Sequence, residues 1–189
     1  GGIVVVDLPK PYRMIRDYIT GEMIPLVGAE GNRQKVERLL VEQKGYRPRD
    51  IEVDAEIAFD LDGRSHRSTV DLVVSPDGGR TRFMVLKCVA GSLGSREREV
   101  VSAARLLDRY QIPLAVVSDG DTAIVMDALS GKKIGEDLDA IPSREAAAKI
   151  LEEIQRVPYP PERLRRERLV FRTYDVENVN VARNLPPAE

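Results

Sequence analysis

The sequence predicts a three-layer α/β domain in which helices flank a mixed β-sheet. The chain has 189 residues, of which 42% are hydrophobic, and this is enough to build one buried core. Successive segments show either the two-residue period of strands or the longer period of helices. A helical segment also separates an early group of strands from a later pair, and its length suits a crossover between parallel strands.

Three segments have the apolar spacing of helices. Residues 30–44 form the first, and Gly45 supplies its C-terminal stop. Residues 96–110 follow a loop rich in glycine and serine, and residues 144–155 follow Ser143, a residue type that favours N-caps. We therefore expect one helix before the strands, one crossover helix and one helix after them.

Five segments predict strands, namely residues 51–59, 67–75, 82–89, 113–118 and 122–129. In the first of them apolar residues alternate with acidic ones, so that one face should carry Ile51, Val53, Ala55, Ile57 and Phe59. Asp62 and Gly63 form a hairpin signal between the first two strands. The third strand is nearly all apolar, as expected for a central strand that is covered on both faces.

The sequence also suggests how the domain is organised. Residues 1–29 are interpreted as a preamble punctuated by prolines, with a short helix around residues 12–19. Residues 30–157 form the expected core. Residues 158–189 form a basic extension that begins in a proline-rich elbow.

Composition excludes several classes of protein. The formal net charge of -2 neither requires nor excludes a nucleic-acid partner. With Cys88 and His66 as the only cysteine and histidine, the chain has no internal disulfide framework and no zinc site built from these residue types. No apolar run approaches the roughly 20 residues of a membrane span, and the N-terminus does not resemble a signal peptide. We therefore expect a cytoplasmic protein without a membrane partner.

Two charged residues stand inside apolar strands. Lys87 interrupts the third strand and Asp71 interrupts the second. A buried ammonium group is costly unless it is paired, so Lys87 requires a carboxylate or a polar cleft nearby. Because a tight turn joins the two strands, we expect Asp71, Lys87 and Val85 to share one face. The charged pair is either a structural ion pair or part of a phosphodiesterase site, where oxygen ligands suit Mg²⁺ and a lysine orients water.

This pattern resembles the PD-(D/E)xK nuclease superfamily, and more closely the N-terminal domain of type I restriction enzyme R subunits and their stand-alone relatives. The resemblance covers roughly residues 24–130. Its motifs are matched by Glu30, Arg33 and Gln34, by Gly45 and Tyr46, by residues 51–56, by residues 68–74 around Asp71 and by the turn at residues 116–120. It implies a restriction-endonuclease-like core, with DNA and a motor subunit as partners.

Val85 departs from the family pattern, since a glutamate or aspartate normally stands two residues before the lysine. The resemblance implies Asp71 as a metal ligand and catalytic residue, Lys87 as a catalytic residue and Mg²⁺ or Mn²⁺ as the cofactor. Five other acids are candidates to replace the missing carboxylate: Glu97 and Glu99 as catalytic residues on the following helix, Glu56 and Glu30 as metal ligands, and Asp54 on the polar face of the first strand.

Candidate nucleic-acid contacts are basic or hydroxyl residues near this cleft, namely Arg33, Arg67, Arg82, Ser92, Ser95 and Arg96. Three functions follow as alternatives. The first is a nuclease-like domain that interacts with nucleic acid and has lost the reaction together with the carboxylate at Val85. The second is an active Mg²⁺-dependent DNA endonuclease with a relocated carboxylate. The third is a non-catalytic protein-interaction domain.

Overall fold

A computed structural model describes residues 12–183, and the side chains of residues 12–176. Residues 1–11 of the expected preamble and residues 184–189 of the expected extension lie outside this range. The strands of the described part are β1 (Met14–Arg16), β2 (Met23–Pro25), β3 (Ile51–Leu61), β4 (Arg64–Val74), β5 (Met84–Cys88), β6 (Leu114–Ser118), β7 (Ala123–Asp127) and β8 (Lys133–Glu136). Its α-helices are α1 (Glu30–Arg38), α2 (Glu97–Leu106), α3 (Arg144–Glu153) and α4 (Leu164–Arg183).

A six-stranded mixed sheet forms the middle of the domain. Its strand order is β3-β4-β5-β6-β7-β8, and only the β5–β6 pair is parallel among these described strands. The parallel pair is joined through α2, as a crossover between parallel strands requires. The predicted mixed sheet and the crossover helix are therefore confirmed.

Two apolar clusters fill the space on either side of the sheet. One cluster joins the sheet to α1 and α3 through side chains such as Val36 and Ala147. The other joins it to α2 and α4 through side chains such as Val100 and Phe171. The domain is thus a three-layer α/β structure like the restriction-endonuclease core that was expected.

The long strand β3 differs from its predicted pattern. Ile51 and Val53 pack on the side of α1, whereas Ala55, Ile57 and Phe59 pack on the side of α2. The change of side occurs at Asp54, whose φ of 51° lies in the left-handed region. The prediction that these five residues share one face is therefore wrong, because an irregular residue inverts the alternation of the strand.

Three further elements were not predicted correctly. The helix expected around residues 12–19 is instead the β1–β2 hairpin, in which the Asp17 carboxylate accepts hydrogen bonds from the backbone of Ile19 and Thr20. Such a side-chain-capped turn competes with helix formation. Strand β8 and helix α4 were not predicted, although α4 packs against α2. Among the described helices, none combines the length and the apolar character needed to cross a bilayer.

Candidate functional site

Asp71 lies where strands β4 and β5 part. Their ladder ends at the pair Leu72 and Leu86, so the next position in register joins Asp71 and Lys87. At this point the Asp71 side chain takes the place of a backbone acceptor: its Oδ2 accepts a hydrogen bond of 2.7 Å from the backbone N–H of Cys88. The carboxylate therefore fixes the end of β5 as well as facing the cleft.

Lys87 points towards helix α2. Its Nζ lies 3.7 Å from Oε1 of Glu99, whose side chain is 6% exposed, while the Lys87 side chain is 24% exposed. Arg96, one turn earlier, places Nη1 3.8 Å from Oε2 of the same carboxylate. Two cations therefore stand beside one buried acid, which offsets the cost of removing it from water.

Asp71, Lys87 and Glu99 line one small cavity, which we call the Asp71 cavity. Its walls come from β4, β5, α2 and the Phe171 side chain of α4. Its volume of about 20 Å³ is room for about one water molecule. The structure therefore brings together the aspartate, the lysine and one of the five acids that were candidates for the missing carboxylate.

Val85 forms an apolar part of the wall of the Asp71 cavity. Its side chain is fully buried and belongs to the cluster beneath α2, whereas its neighbours Met84 and Leu86 belong to the opposite cluster. The predicted alternation of β5 is thus confirmed. At the position where the resemblance implies a carboxylate, this chain presents a methyl-rich surface to Asp71 and Lys87.

Glu97 and Glu56 do not line the Asp71 cavity. Glu97 stands in the first turn of α2, and its charge raises the pKa of Lys133 on the far edge strand, after the hydrogen bond and charge of Glu136. Glu56 is largely exposed and pairs with Arg67 across the β3–β4 hairpin at 3.0 Å. Neither side chain is placed to join Asp71.

Glu30 belongs to a second acidic cluster that adjoins the site. Its Oε2 lies 2.8 Å from a guanidinium nitrogen of Arg33. Arg33 is 3% exposed, and three further carboxylates lie within 4 Å of its guanidinium, those of Asp54, Asp17 and Glu37. Arg33 is therefore a buried structural cation, although the sequence suggested it as a nucleic-acid contact.

Electrostatics link this cluster to the site. Burial raises the pKa of Glu30, and the negative charges of Asp54 and Asp71 act in the same direction. Burial also raises the pKa of Glu37 to about 8, helped by the hydrogen bond and charge of Asp17. Asp17 and Glu37 were not recognised in the sequence, since nothing in their spacing shows that the β1–β2 hairpin meets α1 at Arg33. Asp54 was a candidate to replace the missing carboxylate, and its Oδ1 lies 3.0 Å from a guanidinium nitrogen of Arg33.

The remaining candidate contacts differ in exposure. Arg82 is held by Glu52 through two hydrogen bonds of 2.9 and 3.0 Å. Ser92 and Ser95 are exposed in the loop before α2, and the Ser95 hydroxyl donates to the Ser92 carbonyl. Arg96 is half-buried, with its guanidinium carbon 5.8 Å from the centre of the Tyr174 ring. The loop before α2 is thus the most accessible part of this set near the Asp71 cavity.

Metal-binding donors around the site are few. Within the described part of the chain, no group of three or more His, Cys, Asp or Glu residues is placed to hold a metal ion. Asp71 and Glu99 provide two carboxylates at one cavity. Two carboxylates fall short of a full coordination shell, so Mg²⁺ held here would need water or phosphate oxygens for its remaining ligands.

Comparison with known proteins identifies the family. The family model described as type I restriction enzyme R protein N terminus matches residues 28–142, which is more than half of the chain. The matched range includes α1, all six strands of the central sheet and α2, and hence Asp71, Lys87 and Glu99. Neither the curated proteins nor the solved structures contain a significant match. The chain therefore belongs to the family of type I restriction enzyme R protein N-terminal domains.

Proposed function

We propose that this domain is a PD-(D/E)xK-type fold that binds DNA beside the Asp71 cavity without cleaving it. The family match supports a relationship to restriction enzymes, and the arrangement of Asp71 and Lys87 on neighbouring strands supports the superfamily assignment. Lys87 and the loop before α2 would face the phosphate backbone, because ammonium, hydroxyl and backbone N–H groups are the usual contacts to phosphate.

The observation that carries this proposal is the fully buried Val85 in the cavity wall. It removes the carboxylate that would complete the usual set of metal ligands. The acid that approaches from α2, Glu99, has Lys87 and Arg96 at 3.7 and 3.8 Å. A carboxylate compensated in this way holds the two cations in place, and this is a structural task that requires no hydrolysis.

A second candidate function is a Mg²⁺-dependent DNA endonuclease. One observation favours it: Glu99 reaches the Asp71 cavity from the helix that follows β5, and so supplies the acid that Val85 lacks. Asp71 and Glu99 would then hold Mg²⁺, which when bound neutralises phosphate charge and lowers the pKa of a bound water. Lys87 would stabilise the negative charge that develops on the phosphate.

One set of assays separates these functions. The protein is tested for binding to a fluorescent DNA duplex, and for nicking of supercoiled DNA with Mg²⁺ or Mn²⁺, beside Asp71→Asn and Glu99→Gln. We expect wild-type binding, a weaker complex with Lys87→Gln and no cleavage. Cleavage that is lost in both Asp71→Asn and Glu99→Gln would establish the endonuclease instead. Absence of any DNA binding would contradict both and favour a protein-interaction domain, for which a motor subunit is the partner to test.

A further inference from the structure

A second cavity lies at the other end of β4, outside the cleft described above. It is lined by Leu61, Arg64, Ser65, His66 and Arg172, and we call it the hairpin pocket. It occupies the space between the turn of the β3–β4 hairpin and helix α4, and its volume is about 180 Å³. It is therefore much larger than the Asp71 cavity and has room for a small polyatomic ion.

The acids around the hairpin pocket are already engaged. Asp62 accepts two hydrogen bonds of 3.1 Å from Arg165, and the Asp60 carboxylate accepts one of 3.0 Å from the hydroxyl of Ser65. Asp175 accepts a hydrogen bond of 2.5 Å from the hydroxyl of Ser68 and lies 3.0 Å from Nε2 of His66. None of these carboxylates makes an ion pair with the two arginines that line the pocket.

Arg64 and Arg172 are the pocket's unmatched charges. Both are exposed, and neither guanidinium group makes a hydrogen bond or an ion pair with another side chain or backbone group within residues 12–176. Arg172 influences the site only through its charge, which lowers the pKa of Asp62 after the stronger hydrogen bond and charge of Arg165. Two guanidinium groups at one concave surface, each with its donors available, are the kind of donors that a phosphate group accepts hydrogen bonds from.

The rear wall of the hairpin pocket is well ordered by packing. The ring of His66 packs against Phe59 with centroids 5.2 Å apart, and Phe59 in turn packs edge-on against Phe171. Phe171 lines the Asp71 cavity, and the next residue, Arg172, lines the hairpin pocket. Adjacent residues of α4 therefore connect the two cavities, and β4 runs beneath both.

We propose that the hairpin pocket is a phosphate-binding site, and that in DNA bound by this domain it holds a backbone phosphate. The second part rests on the DNA binding proposed above. Asp71 lies seven residue steps along β4 from Arg64, which corresponds to at most roughly 23 Å along a strand. At about 3.4 Å per base pair this equals the length of six or seven base pairs, so one duplex reaches both places.

Phosphate binding is tested directly on the full chain. Inorganic phosphate is titrated against chloride at constant ionic strength while amide shifts of residues 61–66 and 172 are recorded. We expect saturable shifts at these residues that Arg64→Gln and Arg172→Gln abolish. Arg80→Gln is the matched control, because Arg80 is an exposed arginine in the turn at the opposite end of β4. Shifts that are absent, or that Arg80→Gln reduces equally, overturn the site.

DNA binding tests the second part separately. The slope of log K against log salt concentration is measured for a duplex of about 12 base pairs. Loss of one phosphate contact should reduce the magnitude of this negative slope by about 0.9 in Arg64→Gln or Arg172→Gln, but not in Arg80→Gln. Phosphate binding with an unchanged slope would mean that the site takes free phosphate or a phosphorylated small molecule, and would overturn the backbone role. If the wild type binds phosphate but no DNA, the function proposed above fails while the phosphate site stands.

Discussion

Lys87 Nζ and Glu99 Oε1 lie 3.7 Å apart, although one belongs to the central strand β5 and the other to the crossover helix α2. The pair fixes how α2 sits over the site, because both side chains are largely withdrawn from water and each compensates the charge of the other. Arg96 adds a second cation to the same carboxylate. Glu99 is therefore the acid on which the local charge balance depends.

Replacing Glu99 by Gln is expected to destabilise the domain. The substitution leaves Lys87 and Arg96 without their shared carboxylate, and the loss should be about 1–2 kcal/mol because the lysine is still partly exposed. Glu97→Gln is the matched control, since it removes the same charge two residues away; its effect should stay within about 0.5 kcal/mol. Urea denaturation measures both. Equal effects of the two substitutions would show that the Lys87–Glu99 contact contributes nothing specific.

Asp71 should show different effects with Asn and with Ala. The amide side chain of Asp71→Asn would keep an oxygen that accepts the backbone N–H of Cys88, whereas Asp71→Ala leaves this N–H without its partner. Loss of a buried acceptor costs about 1–3 kcal/mol, so Asp71→Ala should be less stable than Asp71→Asn by roughly that amount. Thermal denaturation of the two variants tests this. If their stabilities are equal, the Cys88 hydrogen bond does not hold β5, and either variant serves for functional assays.

The periodic elements of this fold were accessible from the sequence. The apolar run of β5 and the helical spacing of α1 and α2 each come from burial of one face or two, which the order of residues records directly. Lys87 and Asp71 were recognisable because a charge inside an apolar strand requires a partner. That the two residues lie close together follows from the antiparallel pairing of β4 and β5, which are consecutive strands joined by a turn.

Which of Glu97 and Glu99 lines the Asp71 cavity depends on helix α4, which was not predicted. All of residues 99–104 of α2 are buried, because the sheet covers one side of this helix and α4 covers the other. If α4 is not known, the spacing of the apolar residues in α2 does not show whether Glu97 or Glu99 is withdrawn from solvent. The inversion of β3 at Asp54 was equally inaccessible, since the alternation of residue types around Asp54 continues without a break and gives no sign of its positive φ.

The buried carboxyl group of Glu37 should make stability depend on pH. Burial and the neighbouring Asp17 raise its pKa to about 8 in the folded protein, against 4.5 for an ordinary glutamate. The folded state therefore holds a proton that the unfolded state releases, so this contribution is fully present below about pH 4.5 and is lost as the pH rises through about 8. The free energy of unfolding should fall over this window, by at most about 1.4 kcal/mol per pH unit.

Glu37→Gln isolates this effect. The amide oxygen can still accept the backbone N–H of Ile19, which Glu37 Oε1 accepts at 3.2 Å, but the side chain no longer titrates. The unfolding free energy of this variant should change less between pH 5 and pH 8 than that of the wild type, as measured by urea denaturation at several pH values. Asp17 has a lowered pKa and therefore acts in the opposite direction only below about pH 4. Parallel pH profiles of the two proteins would contradict the prediction.

Val85→Glu tests whether a carboxylate at this position enables the Asp71 cavity to bind a metal ion. The new carboxylate would stand near Asp71 and Glu99 in a wall that is now fully buried, so the variant should be destabilised by about 2 kcal/mol or more without metal. If the three acids converge, Mg²⁺ or Mn²⁺ should raise the melting temperature of Val85→Glu, and 100 times the dissociation constant of the ion would restore about 2.7 kcal/mol. Val85→Gln is the isosteric control, which should lose stability and gain nothing from the ion. A gain in both variants, or in neither, would mean that Val85 does not occupy the position of a metal ligand.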